Sequence, residues 1–288
     1  MEIGFIGLGA MGEPIAANLA RAHRTLVYNR SFEKAQAHAQ NYGSQAVSLT
    51  EITSAEAILT SLPTSREVAE IVAELKPQLT PGQIWVDLTS GEPVKSRELA
   101  AELAQRGVLF FDAPVSGGTT GARAGTLTIM VGGDPEAFPR VQTLLEPCAA
   151  KVIHVGPVGS GDAVKAVNNA LLAANLWAAG EGLAALAAQG IDTAAAISVI
   201  NSSSGRSNAS ETLIPERVLS REFPLTFRLE LLVKDLTIAL SVLDNQVPAP
   251  LLRLTREVYF LALRELGSGR DHVEALKVLE QWSGVEIT

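Results

Sequence analysis

The sequence predicts an α/β protein in two parts, a doubly wound sheet over residues 1–161 and an all-helical domain over residues 162–288. Three observations support this. Short runs rich in Val, Ile and Phe alternate with longer amphipathic segments up to about residue 160, a pattern typical of repeated β-α-β units with a parallel sheet. After a glycine-rich segment at residues 156–161, Ala and Leu recur at helical spacing. The 288 residues suffice for about two domains.

The composition excludes a disordered chain and argues against several classes of partner. Hydrophobic residues make up 47% of the chain and charged residues 19%, so a large core can form. The net charge is -8 without a basic run, so neither nucleic acid nor an anionic membrane surface is an expected partner. The single cysteine, Cys148, cannot form an internal disulfide, which fits a reducing compartment. We therefore expect a cytoplasmic location.

The N-terminus and one apolar stretch are the candidates for a targeting or membrane sequence. The N-terminus lacks the basic segment of a signal peptide and is predicted to be a strand. The stretch Ala170–Gly190 is the most membrane-like, but Asn175, Glu181 and Gln189 interrupt it. A buried or interface helix is therefore the favoured interpretation.

The predicted elements of the first domain follow one another in regular alternation. The predicted strands are Ile3–Ile6, Thr25–Tyr28, Ala57–Ser61, Ile84–Asp87, Val108–Phe111, Leu127–Val131 and Val152–Val155. The predicted helices between them include Ala10–Arg21, Ser31–Asn41, Arg66–Leu75, Ser96–Arg106 and Pro135–Leu145. In the second domain, Asp162 is predicted to be the N-cap of a long helix that is apolar on nearly all sides.

A GxGxxG motif directly follows the first strand and opens the first helix. Its residues are Gly7, Leu8, Gly9, Ala10, Met11 and Gly12. Glycines there allow a tight turn, a close approach of the backbone to a pyrophosphate and packing of the helix on the strand. The helix N-terminus then offers N–H groups to the phosphates. Glycines also close ordinary turns, so the position between strand and helix is what predicts a Rossmann-type dinucleotide site.

The end of the second strand predicts a preference for NADP over NAD. An NAD site normally carries an acidic residue there, whereas an NADP site avoids it and supplies an Arg for the 2′-phosphate. This chain has Asn29, followed by Arg30 and Ser31, which can contact the adenine or the phosphate. The alternative is that Arg30 is only a solvated residue at a helix start.

Three more loops follow strands at the same edge of the predicted sheet, where ligands of open α/β sheets bind. Leu62-Pro63-Thr64 and Thr89-Ser90-Gly91 either line a ligand or are turns with helix caps. In the third loop, the backbone N–H groups of Ser116, Gly117 and Gly118 can form a concave anion site suited to a substrate carboxylate. A glycine turn without a ligand is equally consistent with that spacing.

Lys165 is the candidate for proton transfer. It lies in the expected first turn of the long helix, and Asn169 follows one turn later on the same face. The helix dipole and an apolar environment both lower the pKa of a lysine, which suits a group that exchanges protons near neutral pH. The alternative, a solvated lysine, is the common case for a helix; the predicted domain junction and the uncharged surroundings favour the catalytic interpretation.

Other chemistries have little support in the sequence. The histidines at positions 23, 38, 154 and 272 are far apart and show no metal-ligand spacing. Neither a GxSxG elbow nor a Walker motif occurs. The polar stretch at residues 201–207 is either a loop with a helix cap or part of a substrate pocket.

Four motifs in order along nearly the whole chain carry a family resemblance. They are Gly4–Gly12, Asp112–Gly118 continuing to Leu127, Gly161–Lys165 with Asn168-Asn169, and Lys234-Asp235-Leu236. Together they resemble the β-hydroxyacid dehydrogenase family, and within it the 3-hydroxyisobutyrate dehydrogenases most.

The resemblance implies roles for individual residues. Lys165 would be the catalytic acid/base, assisted by Asn169, and Ser116–Gly118 would bind the substrate carboxylate. Leu62, Pro63 and Ser90 would line the cofactor, and Lys234 would reach toward its nicotinamide end. Such proteins are homodimers or homotetramers through their helical domains.

The expected activity is therefore NADP-preferring hydride transfer between nicotinamide and a small 3-hydroxy acid, such as the 3-hydroxyisobutyrate/methylmalonate semialdehyde pair. Two alternatives remain. One is a related reductase of tartronate, glyoxylate or succinic semialdehyde, and the other is a non-catalytic NADP sensor.

Overall fold

The computed structural model describes residues 1–243 and 247–288. The chain forms two compact units, Met1–Lys165 and Ala166–Thr288. The division falls inside a long helix. The domain boundary predicted between residues 161 and 162 stays a prediction.

Nine strands of the first unit form a single sheet. They are β1 (Glu2–Ile6), β2 (Arg24–Tyr28), β3 (Gln45–Ala46), β4 (Ala57–Thr60), β5 (Ile84–Asp87), β6 (Leu109–Asp112), β7 (Val115–Ser116), β8 (Leu127–Gly132) and β9 (Ala149–Gly156). Their order is β3-β2-β1-β4-β5-β6-β8-β7, with β9 paired to β8. The chain winds outward from β1 in both directions, which confirms the doubly wound Rossmann-type fold.

The parallel sheet is confirmed from β1 to β6, and the later strands depart from it. Strands β1 to β6 pair in parallel, but β8 runs antiparallel to β6 and β7. Only residues 117–126 separate β7 from β8, which is too short for the crossover that parallel neighbours need. Strand β9 is again parallel to β8.

Helices cover both faces of this sheet. They are α1 (Gly12–Ala22), α2 (Phe32–Tyr42), α3 (Ser65–Leu75), α4 (Pro93–Ala104), α5 (Gly118–Ala124) and α6 (Phe138–Leu145). Alternate residues of β1 enter different cores, since Phe5 lies in one apolar cluster and Ile6 in another. Burial on both faces explains why the strands are almost continuously apolar.

The second unit is helical, as predicted. It contains most of α7 (Ser160–Ala187), then α8 (Thr193–Asn201), a π-helix (Ala209–Leu219), α9 (Leu229–Leu243), α10 (Pro250–Leu266) and α11 (Ala275–Ser283). Its core includes Leu176, Leu232 and Tyr259, all fully buried. The polar stretch at residues 201–207 joins α8 to the π-helix, and Asn201 Nδ2 donates to the Ser210 carbonyl at 2.9 Å.

Helix α7 begins earlier than predicted. It starts at Ser160, so Asp162 lies within the first turn and its assignment as N-cap is wrong. For the same reason Lys165, the sixth residue of the helix, lies in the second turn and not in the first as predicted. The helix is long and apolar enough to cross a membrane by length and composition alone, a test that core helices of soluble proteins also pass. Ala173 and Leu176 are fully buried in the second unit's core, in agreement with the interpretation as a buried helix.

Candidate functional site

The GxGxxG loop has the geometry that only glycine permits at two positions. Gly7 has φ +101°, and an ideal Cβ there would overlap the Ser61 carbonyl oxygen. A Cβ on Gly12 would overlap the Gly7 carbonyl oxygen. By contrast, a Cβ on Gly9 would meet none of the described atoms within 4 Å. Gly7 and Gly12 therefore close the turn, and Gly9 leaves the backbone open to a ligand.

Helix α1 presents its N-terminus at the end of this loop. Met11 occupies the N-cap position, and no side chain among the described residues caps the helix. The first N–H groups of an α-helix have no partner within the helix, and they carry partial positive charge. The loop residues Leu8, Gly9, Ala10 and Met11 thus lie where a dinucleotide pyrophosphate would be held, and the open cradle at Gly9 fits such a group.

Asn29 joins the glycine loop to the end of β2. Its Oδ1 accepts a hydrogen bond from the Leu8 N–H at 3.0 Å, and its Nδ2 donates to the Ser31 carbonyl at 3.1 Å. The predicted role of Asn29 was to avoid a carboxylate next to a 2′-phosphate, and this bridging role was not predicted. The Arg30 and Ser31 side chains are exposed at the same edge.

The loops after β4 and β5 are joined to each other. The Leu62 N–H donates to Thr89 Oγ1 at 3.1 Å, and Leu62 Cδ2 lies 2.8 Å from an ideal Cβ on Gly7. The structure therefore brings the loops of Leu62-Pro63 and Ser90 to the same edge as the glycine loop.

Thr64 serves as a helix cap, because its side chain accepts from the Arg66 N–H of α3.

The Ser116–Gly118 segment joins the end of β7 to the start of helix α5. Ser116 ends β7, Gly117 has φ 127° and Gly118 has φ 60°. Helix α5 starts at Gly118 and packs near Leu127 of β8, which lies 3.2 Å from an ideal Cβ on Gly117. The role of this segment in binding a carboxylate stays a prediction.

Two buried carboxyl groups anchor the first turn of α7, which carries Lys165. Asp112 Oδ1 accepts from the Gly159 N–H at 2.7 Å, and its Oδ2 accepts from the Asp162 N–H at 2.9 Å. Asp162 Oδ1 accepts from the Gly91 N–H at 3.0 Å, and its Oδ2 accepts from Ser96 Oγ at 2.6 Å. These bonds were not predicted, because they join residues that are far apart in the sequence.

Burial dominates the electrostatics of this region. Removal from water raises the pKa of the Asp87 carboxyl, at the end of β5, to about 6. Burial also raises the pKa of Asp112. The pKa of Asp162 lies well above its usual value because of burial and the nearby negative charge of Asp112. A carboxyl group in such surroundings favours its neutral form.

In the second unit, Asp235 holds two of the predicted site residues. Its Oδ2 accepts from Asn169 Nδ2 at 2.6 Å, and its Oδ1 forms an ion pair of 3.0 Å with Lys234 Nζ. Asp235 is only 2% exposed. Asp235 belongs to the Lys234-Asp235-Leu236 motif but had no predicted role, and its position next to Lys234 was the available sequence signal.

These features define a dinucleotide-binding protein, and comparisons with known proteins identify the family. The family described as "NAD binding domain of 6-phosphogluconate dehydrogenase" matches residues 2–156. The family described as "NAD-binding of NADP-dependent 3-hydroxyisobutyrate dehydrogenase" matches residues 159–279.

Whole proteins match over almost the entire chain. 2-(Hydroxymethyl)glutarate dehydrogenase of Eubacterium barkeri is 36% identical, covering 100% of this chain and 98% of that protein. NAD-dependent L-serine dehydrogenase of Pseudomonas aeruginosa is 31% identical, covering 98% and 99%. The structure of 3-hydroxyisobutyrate dehydrogenase of Mycobacterium tuberculosis with L-serine superimposes with a TM-score of 0.89 at 30% identity, covering 96% and 98%.

The chain belongs to the β-hydroxyacid dehydrogenase family. It is thus an NAD(P)-dependent oxidoreductase, and the resemblance found in the sequence is confirmed.

Proposed function

We propose that the protein is an NADP-preferring dehydrogenase of small 3-hydroxy acids in which Lys165 is the general acid/base. The observation that carries this proposal is the Gly91 N–H to Asp162 bond of 3.0 Å. It ties the first turn of the Lys165 helix to the loop that contains Ser90, at the edge where the glycine loop would hold the dinucleotide. The proton-transfer group and the cofactor loops thus belong to one unit.

The names of the relatives support a common substrate core. L-Serine, 3-hydroxyisobutyrate and 2-(hydroxymethyl)glutarate all contain a hydroxymethyl group bonded directly to the carbon that carries a carboxylate. They differ only in the third substituent of that carbon. We infer that this protein takes a 2-substituted 3-hydroxypropanoate, with 3-hydroxyisobutyrate as the favoured candidate.

Each proposed residue has a definite task in the reaction. The glycine loop at residues 7–12 would hold the dinucleotide, whose nicotinamide would supply the hydride-transfer chemistry. In oxidation, neutral Lys165 takes the hydroxyl proton as the carbinol C–H bond breaks, and in reduction its ammonium donates a proton to the carbonyl oxygen. Asn169 holds the lysine amine or the substrate hydroxyl. Ser116, Gly117 and Gly118 hold the carboxylate and so decide which carbon faces the nicotinamide.

The proposal is tested by turnover on a matched set of acids with both cofactors. We expect the highest kcat/KM with 3-hydroxyisobutyrate and NADP, and much lower values with the reduction of glyoxylate, tartronate semialdehyde or succinic semialdehyde. A higher value for one of these semialdehydes would favour the alternative reductase. Binding of NADPH without turnover of any of the compounds would instead favour a sensor.

The preference for NADP is tested by Asn29→Asp. The new carboxylate can still accept from the Leu8 N–H, so the loop should keep its shape, while its charge repels a 2′-phosphate. We expect the ratio of kcat/KM for NADP over NAD to fall at least about tenfold. Asn41→Asp, which adds the same charge at an exposed position of α2, serves as the control. An unchanged ratio in Asn29→Asp would contradict this role of Asn29.

We also propose a homodimer or homotetramer formed through the helical unit. Leu251, Leu254 and Leu261 recur on α10 at spacings of three and seven residues, and they are 62%, 62% and 41% exposed. Such a row of leucines on one helix face is typical of a surface that another subunit covers. Light scattering should give two or four times the chain mass of 30.4 kDa, and a single chain mass would contradict the proposal.

A further inference from the structure

Asp162 points away from its own helix and connects two other elements of the first unit. It is 1% exposed. One carboxyl oxygen accepts from the Gly91 N–H in the loop after β5, and the other accepts from Ser96 Oγ in α4. Since Asp162 and Lys165 are three residues apart in α7, any displacement of Asp162 also displaces the Lys165 backbone.

The end of β6 also holds the backbone of this turn. Asp112, at the end of β6, accepts the N–H groups of Gly159 and Asp162. An ideal Cβ on Gly161 would overlap the Met130 carbonyl oxygen and lie 2.8 Å from the Asp112 carbonyl oxygen. The turn therefore lies directly against the backbone of the sheet, and Asp112 performs the capping that a local residue usually provides.

The charges around Asp162 come from three elements. Asp112 lies at the end of β6, and Asp87 at the end of β5 adds a weaker repulsion. Arg97 of α4 approaches the same turn, because its Nη1 lies 2.7 Å from an ideal Cβ on Gly159. Burial and these two acidic neighbours all raise the pKa of Asp162, and the two hydrogen bonds that its carboxyl group accepts fix its orientation.

We propose that Asp162 is the positioning residue for Lys165, holding the first turn of α7 to Gly91 and Ser96 so that the amine faces the cofactor edge. This inference rests on the proposed function of Lys165. It assigns Asp162 a geometric role through its two hydrogen bonds.

The test compares Asp162→Ala with Asp162→Asn. Alanine removes both bonds, and we expect kcat to fall about 10- to 100-fold, as for a small displacement of a catalytic group. We also expect the limb of the kcat–pH profile that reports Lys165 to shift. Asparagine can accept from Gly91 and exchange a hydrogen bond with Ser96, so it should retain the wild-type kcat and profile. Ser96→Ala removes one of the two bonds and serves as the test if Asp162→Ala does not fold. We expect Ser96→Ala to lower kcat, but by less than the 10- to 100-fold expected for Asp162→Ala.

A matched control separates positioning from stability. Asp192 caps α8 with two side-chain hydrogen bonds of 2.8 and 3.1 Å, so Asp192→Ala should lower Tm without changing kcat or its pH profile. A lower Tm with unchanged kcat and profile in Asp162→Ala would overturn the proposal, as would equal losses in the alanine and asparagine variants. If Lys165→Ala keeps full turnover, the proposed function itself fails, whereas an inactive Lys165→Ala with a fully active Asp162→Ala refutes only the positioning role.

Discussion

Replacement of Lys165 by alanine should lower turnover about 10²- to 10⁴-fold, the usual contribution of a positioned proton-transfer group. NADPH binding should stay near the wild-type value, because Lys165 is proposed to act on the substrate hydroxyl, whereas the glycine loop is proposed to hold the dinucleotide. Steady-state kinetics of 3-hydroxy acid oxidation and titration of NADPH fluorescence measure the two quantities separately.

Two further lysine variants make this result specific. Lys165→Arg keeps the positive charge, but a guanidinium cannot give up its proton near neutral pH, so it cannot act as the base. We therefore expect oxidation to be lost in this variant as well. Lys151→Ala removes an exposed lysine from β9 of the same unit and should leave turnover unchanged. Normal turnover in Lys165→Ala would contradict the assignment.

The longer elements could be predicted from sequence, and the missed ones have identifiable causes. The strand predicted at Ile84–Asp87 has the observed bounds, because buried parallel strands are continuous apolar runs. Strands β3 and β7 contain two residues each, too few to show an alternation. Helix α5 was missed because Gly117 and Gly118 are typical of a turn. Both residues do take positive φ values, but a helix starts directly at Gly118.

In the candidate site, too, features formed by neighbouring residues could be predicted, and contacts between residues far apart in the sequence could not. The GxGxxG loop was predictable because its function depends on neighbouring residues of one strand, turn and helix. The carboxyl groups that hold other site residues were not, since their bonds join residues 71 positions apart for Asp162 and Gly91 and 66 apart for Asn169 and Asp235. Local spacing assigned Asp162 as an N-cap, whereas the observed cap is Asp112, 50 residues earlier than the N–H it accepts.

Replacement of Gly12 by alanine should impair both folding and cofactor binding. The new Cβ would overlap the Gly7 carbonyl oxygen, which is backbone and cannot turn aside as a side chain would. Relieving such an overlap costs about 1–3 kcal/mol or more, so we expect Tm to fall by at least about 2 °C. The turn would also move relative to the α1 N-terminus, and the Kd for NADPH should rise at least about tenfold.

Gly9→Ala is the matched comparison within the same loop, because its Cβ would meet no described atom within 4 Å. This variant should keep the wild-type Tm, but its methyl group would stand where the backbone is open to the cofactor, so NADPH binding should weaken. Thermal unfolding and fluorescence titration of both variants therefore separate closure of the turn from contact with the ligand. Wild-type Tm and Kd values in Gly12→Ala would contradict the close packing of the turn, and wild-type binding in Gly9→Ala would place the pyrophosphate elsewhere.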